Sequence, residues 1–212
     1  MFLKEIRHFY EWKDLLYSPE HFVQGFPAFE LAREWQEANG IPAGVSRQLD
    51  RISELEDLKL LFGIPQFKIP MPVLTQRSQT DLLAFCKNRK GLWILTVEGK
   101  ETLGPRIRDW LAESPARSQK LSRLLESLGI SEKEALHLRF QLIRRLYSLI
   151  TFMDDFSTPQ GIFLVQGFGG DKSLYYDFTQ FLSALGMRPS KDPLPVSLQL
   201  GGKHVYFVFY DS

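Results

Sequence analysis

TDLLAFCKNRKGLWILTVEGK, residues 80–100, is the stretch whose reading decides the fold. It holds two compact apolar runs, Asp81 to Cys86 and Leu92 to Val97, on either side of the polar segment Lys87-Asn88-Arg89-Lys90-Gly91. Short apolar runs joined by a polar turn ending in glycine predict an antiparallel hairpin. Each run is apolar at successive positions, so both faces of both strands are expected to be covered, as in the middle of a sheet.

The hairpin carries charges that such strands tolerate poorly without partners. With a loop from Asn88 to Gly91, Lys87 pairs with Leu92, and counting back along the ladder sets Asp81 opposite Glu98. Strand alternation then places Glu98 and Lys100 on one face, roughly 7 Å apart. Facing carboxylates repel, by on the order of 0.2–1 kcal/mol at the surface and more when desolvated, so a cation is expected between them. A hard divalent ion, Mg²⁺ or Mn²⁺, would take Asp81 and Glu98 together with waters and phosphate oxygens. It would lower the pKa of a bound water while Lys100 assists the nucleophile, which is the chemistry of phosphodiester hydrolysis. The alternative is that Glu98 and Lys100 simply pair with Arg or Asp neighbours at a strand end, and a one-residue slip of register would part Asp81 from Glu98.

Outward from the hairpin, apolar residues recur at three and four from Ala28 to Ala38 and from Val45 to Leu61, the pattern of two amphipathic helices. Phe67, Ile69 and Met71 alternate as a strand ahead of the hairpin. Helices follow over Pro105 to Ala112, Gln119 to Leu128 and Glu132 to Met153, the last entered through a capping box of Ser131 and Glu134. A buried strand at Gly161 to Val165, a helix at Tyr175 to Leu185, and a hairpin of Val196 to Leu200 with His204 to Tyr210 complete the chain. This order predicts an α/β protein with a mixed sheet flanked by helices, as a single domain over residues 1–212.

Composition bounds the partners. Lys and Arg total 26 against 25 for Asp and Glu, so only local clustering could mark a nucleic-acid surface. From Gly104 to Tyr147 the bases, Arg139, Arg144 and Arg145 among them, outnumber the acids, and Gln141, Arg144 and Arg145 can share a helix face. The single cysteine, Cys86, lies inside an apolar run and reads as a buried thiol. The four histidines are scattered without metal spacing or a nucleophile beside them. Met1 to Trp12 is unlike a signal peptide, and no apolar run approaches the roughly 20 residues that span a bilayer. A cytoplasmic protein without membrane contact is expected. Val205 to Tyr210, if it lay at a sheet edge, would invite homodimerisation.

Asp81 at the start of one strand and Glu98-Gly99-Lys100 on the next resemble the PD-(D/E)XK nuclease superfamily, the restriction-endonuclease-like fold. The resemblance covers residues 45–166, leaving an N-terminal helical extension and a C-terminal αββ extension. It implies a metal-dependent nuclease, a hydrolase acting on nucleic acid, DNA first. Asp81, Glu98, Lys100 and Gln141 would form the catalytic set, Asp81 and Glu98 would hold Mg²⁺ or Mn²⁺, and Arg139, Arg144 and Arg145 would hold the phosphate backbone. The chain departs from the pattern at Thr80, which stands in place of the proline that many members also lack, and it shows no obvious helical acid upstream; Glu34 and Glu54 are the candidates. The wider pattern, with Leu138-Arg139-Phe140-Gln141-Leu142, also resembles an uncharacterised family of bacterial proteins. A non-catalytic nucleic-acid- or protein-binding regulatory protein on the same fold is the second expectation.

Overall fold

A computed structural model describes residues 5–69, 78–114 and 117–212. Short 3-10 turns lead into α1 (Pro27–Ala38), with Pro27 in its first turn and Asn39 closing it at φ 47° in the left-handed region. After α2 (Ala43–Leu49) come β1 (Lys59–Pro65), the short strands β2 (Lys68–Ile69) and β3 (Ser78–Gln79), and the hairpin of β4 (Leu82–Asn88) and β5 (Gly91–Lys100). Four helices follow: α3 (Ile107–Ala112), α4 (Arg117–Leu128), α5 (Glu132–Ala135) and α6 (Phe140–Asp155). The chain then runs through β6 (Gln160–Gly167), α7 (Lys172–Ala184), β7 (Val196–Leu200) and β8 (Lys203–Asp211).

Six strands form one mixed sheet in the order β1-β4-β5-β6-β8-β7. β1, β4 and β5 are antiparallel neighbours, whereas β6 runs parallel to β5 and to β8. The hairpin register is the expected one, with Lys87 opposite Leu92 and Leu82 opposite Val97. Both faces are covered, as the continuous apolar runs require. On one face Leu83, Phe85, Ile94 and Phe163 pack with residues of α4, α6 and α7, and on the other Leu82, Ala84, Trp93, Leu95 and Val97 pack with α1 and α2. Cys86 lies wholly buried in the second layer, and burial pushes its thiol up to about 12.

The helix expected from Val45 to Leu61 ends at Leu49. Its three-four recurrence is used by a run of turns that buries Leu55 and Leu58 but leaves Leu61 52% exposed on β1. The Asn88 side-chain amide donates to the carbonyls of Glu54 (2.8 Å) and Glu56 (3.1 Å), and Asp57 has φ 57°, so backbone acceptors a helix would use are tied to the hairpin tip. The helix expected from Glu132 to Met153 is also two pieces. Arg139 is extended between them, because Leu138 O accepts from Ile107 N and Phe140 N donates to Pro105 O. Tertiary hydrogen bonds outcompete helix propensity at both places. The strand foreseen at Phe67, Ile69 and Met71 is β2, paired with β3 in a separate small sheet; Met71 lies outside the described residues. β8 lies between β6 and β7, so the expected sheet-edge route to homodimerisation does not apply to it. Among the described residues no helix is long and apolar enough to cross a membrane.

Candidate functional site

Glu98 sits on β5, on the face that meets α6, with 2% of its side chain exposed. Two residues one helical turn apart on α6 reach it: Gln141 Nε2 donates to Oε1 at 2.5 Å and Arg145 Nε to Oε2 at 2.5 Å. Lys100, two residues along the strand and on the same face, places Nζ 3.2 Å from Oε1. Burial by itself raises the pKa of Glu98, but Arg145 and Lys100 outweigh it and hold the carboxyl at about 2.

Asp81 precedes β4 by one residue, opposite Glu98 as the register requires, and its carbonyl accepts from Gln66 N. Its Oδ2 accepts from Gly99 N at 3.0 Å and from Lys100 Nζ at 2.9 Å. The Lys100 ammonium therefore bridges the two carboxylates. Burial and the Glu98 charge keep Asp81 above its ordinary pKa despite Lys100, although 17% of its side chain is exposed, which tempers the burial effect. Burial disfavours charged Lys100, but Asp81 and Glu98 reverse this and raise its pKa. Behind this group, Arg145 Nη1 donates to Ser78 Oγ at 2.7 Å, Ser148 donates to the same oxygen, and Gln141 Oε1 accepts from Gly104 N.

Four residues named from the sequence, Asp81, Glu98, Lys100 and Gln141, are thus brought together. The geometry does not fit the expected divalent ion. Glu98 Oε1 already receives two donors and Oε2 receives Arg145, while Lys100 occupies the gap between the acids. Two carboxylates and two cations cancel, so a further dication would face Lys100 and Arg145. Among the described residues no group of three or more His, Cys, Asp or Glu is placed to hold a metal ion.

The expected helical acids are elsewhere. Glu34 lies on the opposite face of the sheet, accepting from Gln166 and Ser212, and Glu54 lies beside the hairpin tip at the far end of the strands. The three arginines expected to hold a phosphate backbone have separate fates. Arg145 is the buried counter-ion of Glu98. Arg139 bonds Asp177 Oδ2 at 2.6 Å and Gly104 O, and Arg106 joins the same acid at 3.5 Å. Arg144 is half-buried and pairs with no carboxylate among the described residues, and its buried Nε has no acceptor. The sequence reading missed Arg145 as an ion partner and Asp177 altogether. The signals were present: Arg145 stands four residues after Gln141, and Asp177 interrupts the apolar stripe of Leu174, Phe178 and Phe181.

A family model described as "Domain of unknown function (DUF6946)" matches residues 5–212. No curated protein and no solved structure matches the chain.

Proposed function

The chain belongs to the DUF6946 family, and we propose that it is a non-catalytic nucleic-acid-binding protein built on a nuclease-like scaffold. The observation that carries this reading is the neutralisation in place of both carboxylates, by Lys100 between them and Arg145 beyond. The scaffold is supported by connection order: three antiparallel strands, helix α6, then a strand parallel to the third, with Asp81, Glu98, Lys100 and Gln141 gathered at one point. Nucleic acid as partner is supported by the exposed bases Arg108, Arg123 and Lys133 on α3, α4 and α5, together with half-buried Arg144. Fold alone assigns no activity, and the site's own charge balance argues for binding rather than hydrolysis.

A second reading, metal-dependent hydrolysis of phosphodiesters in the cytoplasm, is favoured by one observation: Asp81 Oδ1 has no partner among the described residues. An ion held by Asp81 and Glu98 would first have to displace Lys100 and Arg145. The test is incubation of plasmid, single-stranded DNA and RNA with Mg²⁺ or Mn²⁺, beside binding assays across a salt series. The binding reading expects intact substrates and affinity that falls as salt rises. Metal-dependent cutting that Asp81→Ala and Lys100→Ala both abolish would overturn it.

A further inference from the structure

Arg144 and Arg145 are neighbours on α6 with opposite circumstances. Arg145 is satisfied by Glu98 and Ser78. Arg144 holds a buried Nε with no acceptor and has no carboxylate partner among the described residues. Leaving a charged donor buried and unsatisfied is costly, and a helix position that needed only packing would be served by an aliphatic residue. Burial, followed by the charge of Arg145, lowers the pKa of Arg144 to about 10 against the opposing pull of Glu98, which still leaves it cationic at neutral pH.

The ion pairs point the same way. Among the described residues Asp81 and Glu98 form ion pairs with Lys100 and Arg145, whereas Arg144 forms none and feels the Glu98 charge only at longer range. We propose that Arg144 is the receptor for one backbone phosphate of nucleic acid, which supplies the ion-pair partner that it lacks among the described residues. This rests on the binding reading above and names the residue at its centre. A guanidinium presents a planar fork of donors that matches two phosphate oxygens, which a lysine cannot reproduce. A phosphodiester presents two non-bridging oxygens and one charge per nucleotide, which suits one guanidinium fork.

The test uses the full chain, with EDTA present so that hydrolysis plays no part. Labelled single-stranded and duplex oligonucleotides are titrated by fluorescence anisotropy, with inorganic phosphate as a competitor in a parallel arm. Arg144→Gln is expected to weaken oligonucleotide binding by about 10- to 100-fold, the value of a charge-assisted bond, and to lower the salt slope by about one. Arg144→Lys should recover only part of the loss, and Arg108→Gln, at an exposed position, should change affinity less than Arg144→Gln. At one oligonucleotide concentration the melting temperature of wild type should rise more than that of Arg144→Gln, and inorganic phosphate should compete weakly. Wild-type affinity in Arg144→Gln with an unchanged salt slope would overturn the proposal, as would absence of binding by wild type or full competition by inorganic phosphate at equal concentration. Should Arg144→Gln fail to fold, Arg144→Lys carries the test, and wild-type binding by it overturns the fork argument. Metal-dependent cutting lost in Lys100→Ala would defeat the non-catalytic reading yet leave the Arg144 result standing, so the two failures are distinguishable.

Discussion

Glu98 on β5 and Gln166 on β6 stand one rung apart on adjacent strands, since Gly99 pairs with Gln166, and they point to opposite faces of the same sheet. Both are buried, at 1% and 0% exposure, yet they are satisfied by different means. Glu98 is a charge, and the fold surrounds it with Arg145, Lys100 and the Gln141 amide. Gln166 is neutral: its Oε1 accepts from Trp35 Nε1 at 3.0 Å, and its Nε2 donates to Glu34, which remains at the half-buried rim with Ser212. A buried charge recruits counter-charges from two elements, whereas a buried amide needs only one donor and one acceptor, here both on α1. The first arrangement consumes the carboxylate that would otherwise have been free for a metal ion.

This contrast is broken most severely at Glu98. Glu98→Gln is expected to cost about 3–5 kcal/mol in chemical denaturation, because Arg145 and Lys100 lose their buried partner. Arg145→Met should cost a similar amount, and the double variant Glu98→Gln with Arg145→Met should lie closer to wild type than the sum of the single changes. Additive effects in that cycle would show the two side chains to be independent. Acid titration gives the next effect. Glu98 falls from its ordinary value of 4.5 to about 2 in the folded protein, so its stabilisation is fully present above about pH 4.5 and is lost as pH falls towards 2. That part of the acid slope should vanish in Glu98→Gln, measured as stability against pH. On the neutral side, Gln166→Leu should cost about 1–3 kcal/mol by stripping Trp35 Nε1 of its acceptor, and a loss comparable to that at Glu98 would erase the distinction between the clusters. Asp81→Asn should be the mildest change, about 1 kcal/mol or less at pH 7. The amide keeps an acceptor for Lys100 and Gly99, and it removes an ionisation that burial and Glu98 oppose.

The hairpin was legible because its signal was local. Asn88 to Gly91 bounded two apolar runs, and antiparallel counting from Lys87 and Leu92 carried the register to Asp81 and Glu98 without further information. The glutamine of α6 was legible through the resemblance, and Gln141 does bond Glu98. The stretch between Leu49 and Leu61 was misread because its three-four recurrence also describes buried turns beside a strand, and the competing bonds come from Asn88, distant in sequence. The break before α6 was hidden for a similar reason, since Pro105 and Ile107 take the backbone bonds that would have continued the helix.

By itself the sequence determined the mixed α/β class, the central hairpin and the meeting of Asp81, Glu98 and Lys100 on one face, because strand alternation and turn length are short-range constraints. Tertiary structure decided what that meeting means. Only the packing of α6 on the sheet places Arg145 against Glu98 rather than on a surface, consigns Arg139 to Asp177, and leaves Arg144 with no ion pair among the described residues. These outcomes depend on contacts between residues 38 and 47 positions apart, and no local periodicity encodes which of several arginines will find which acid.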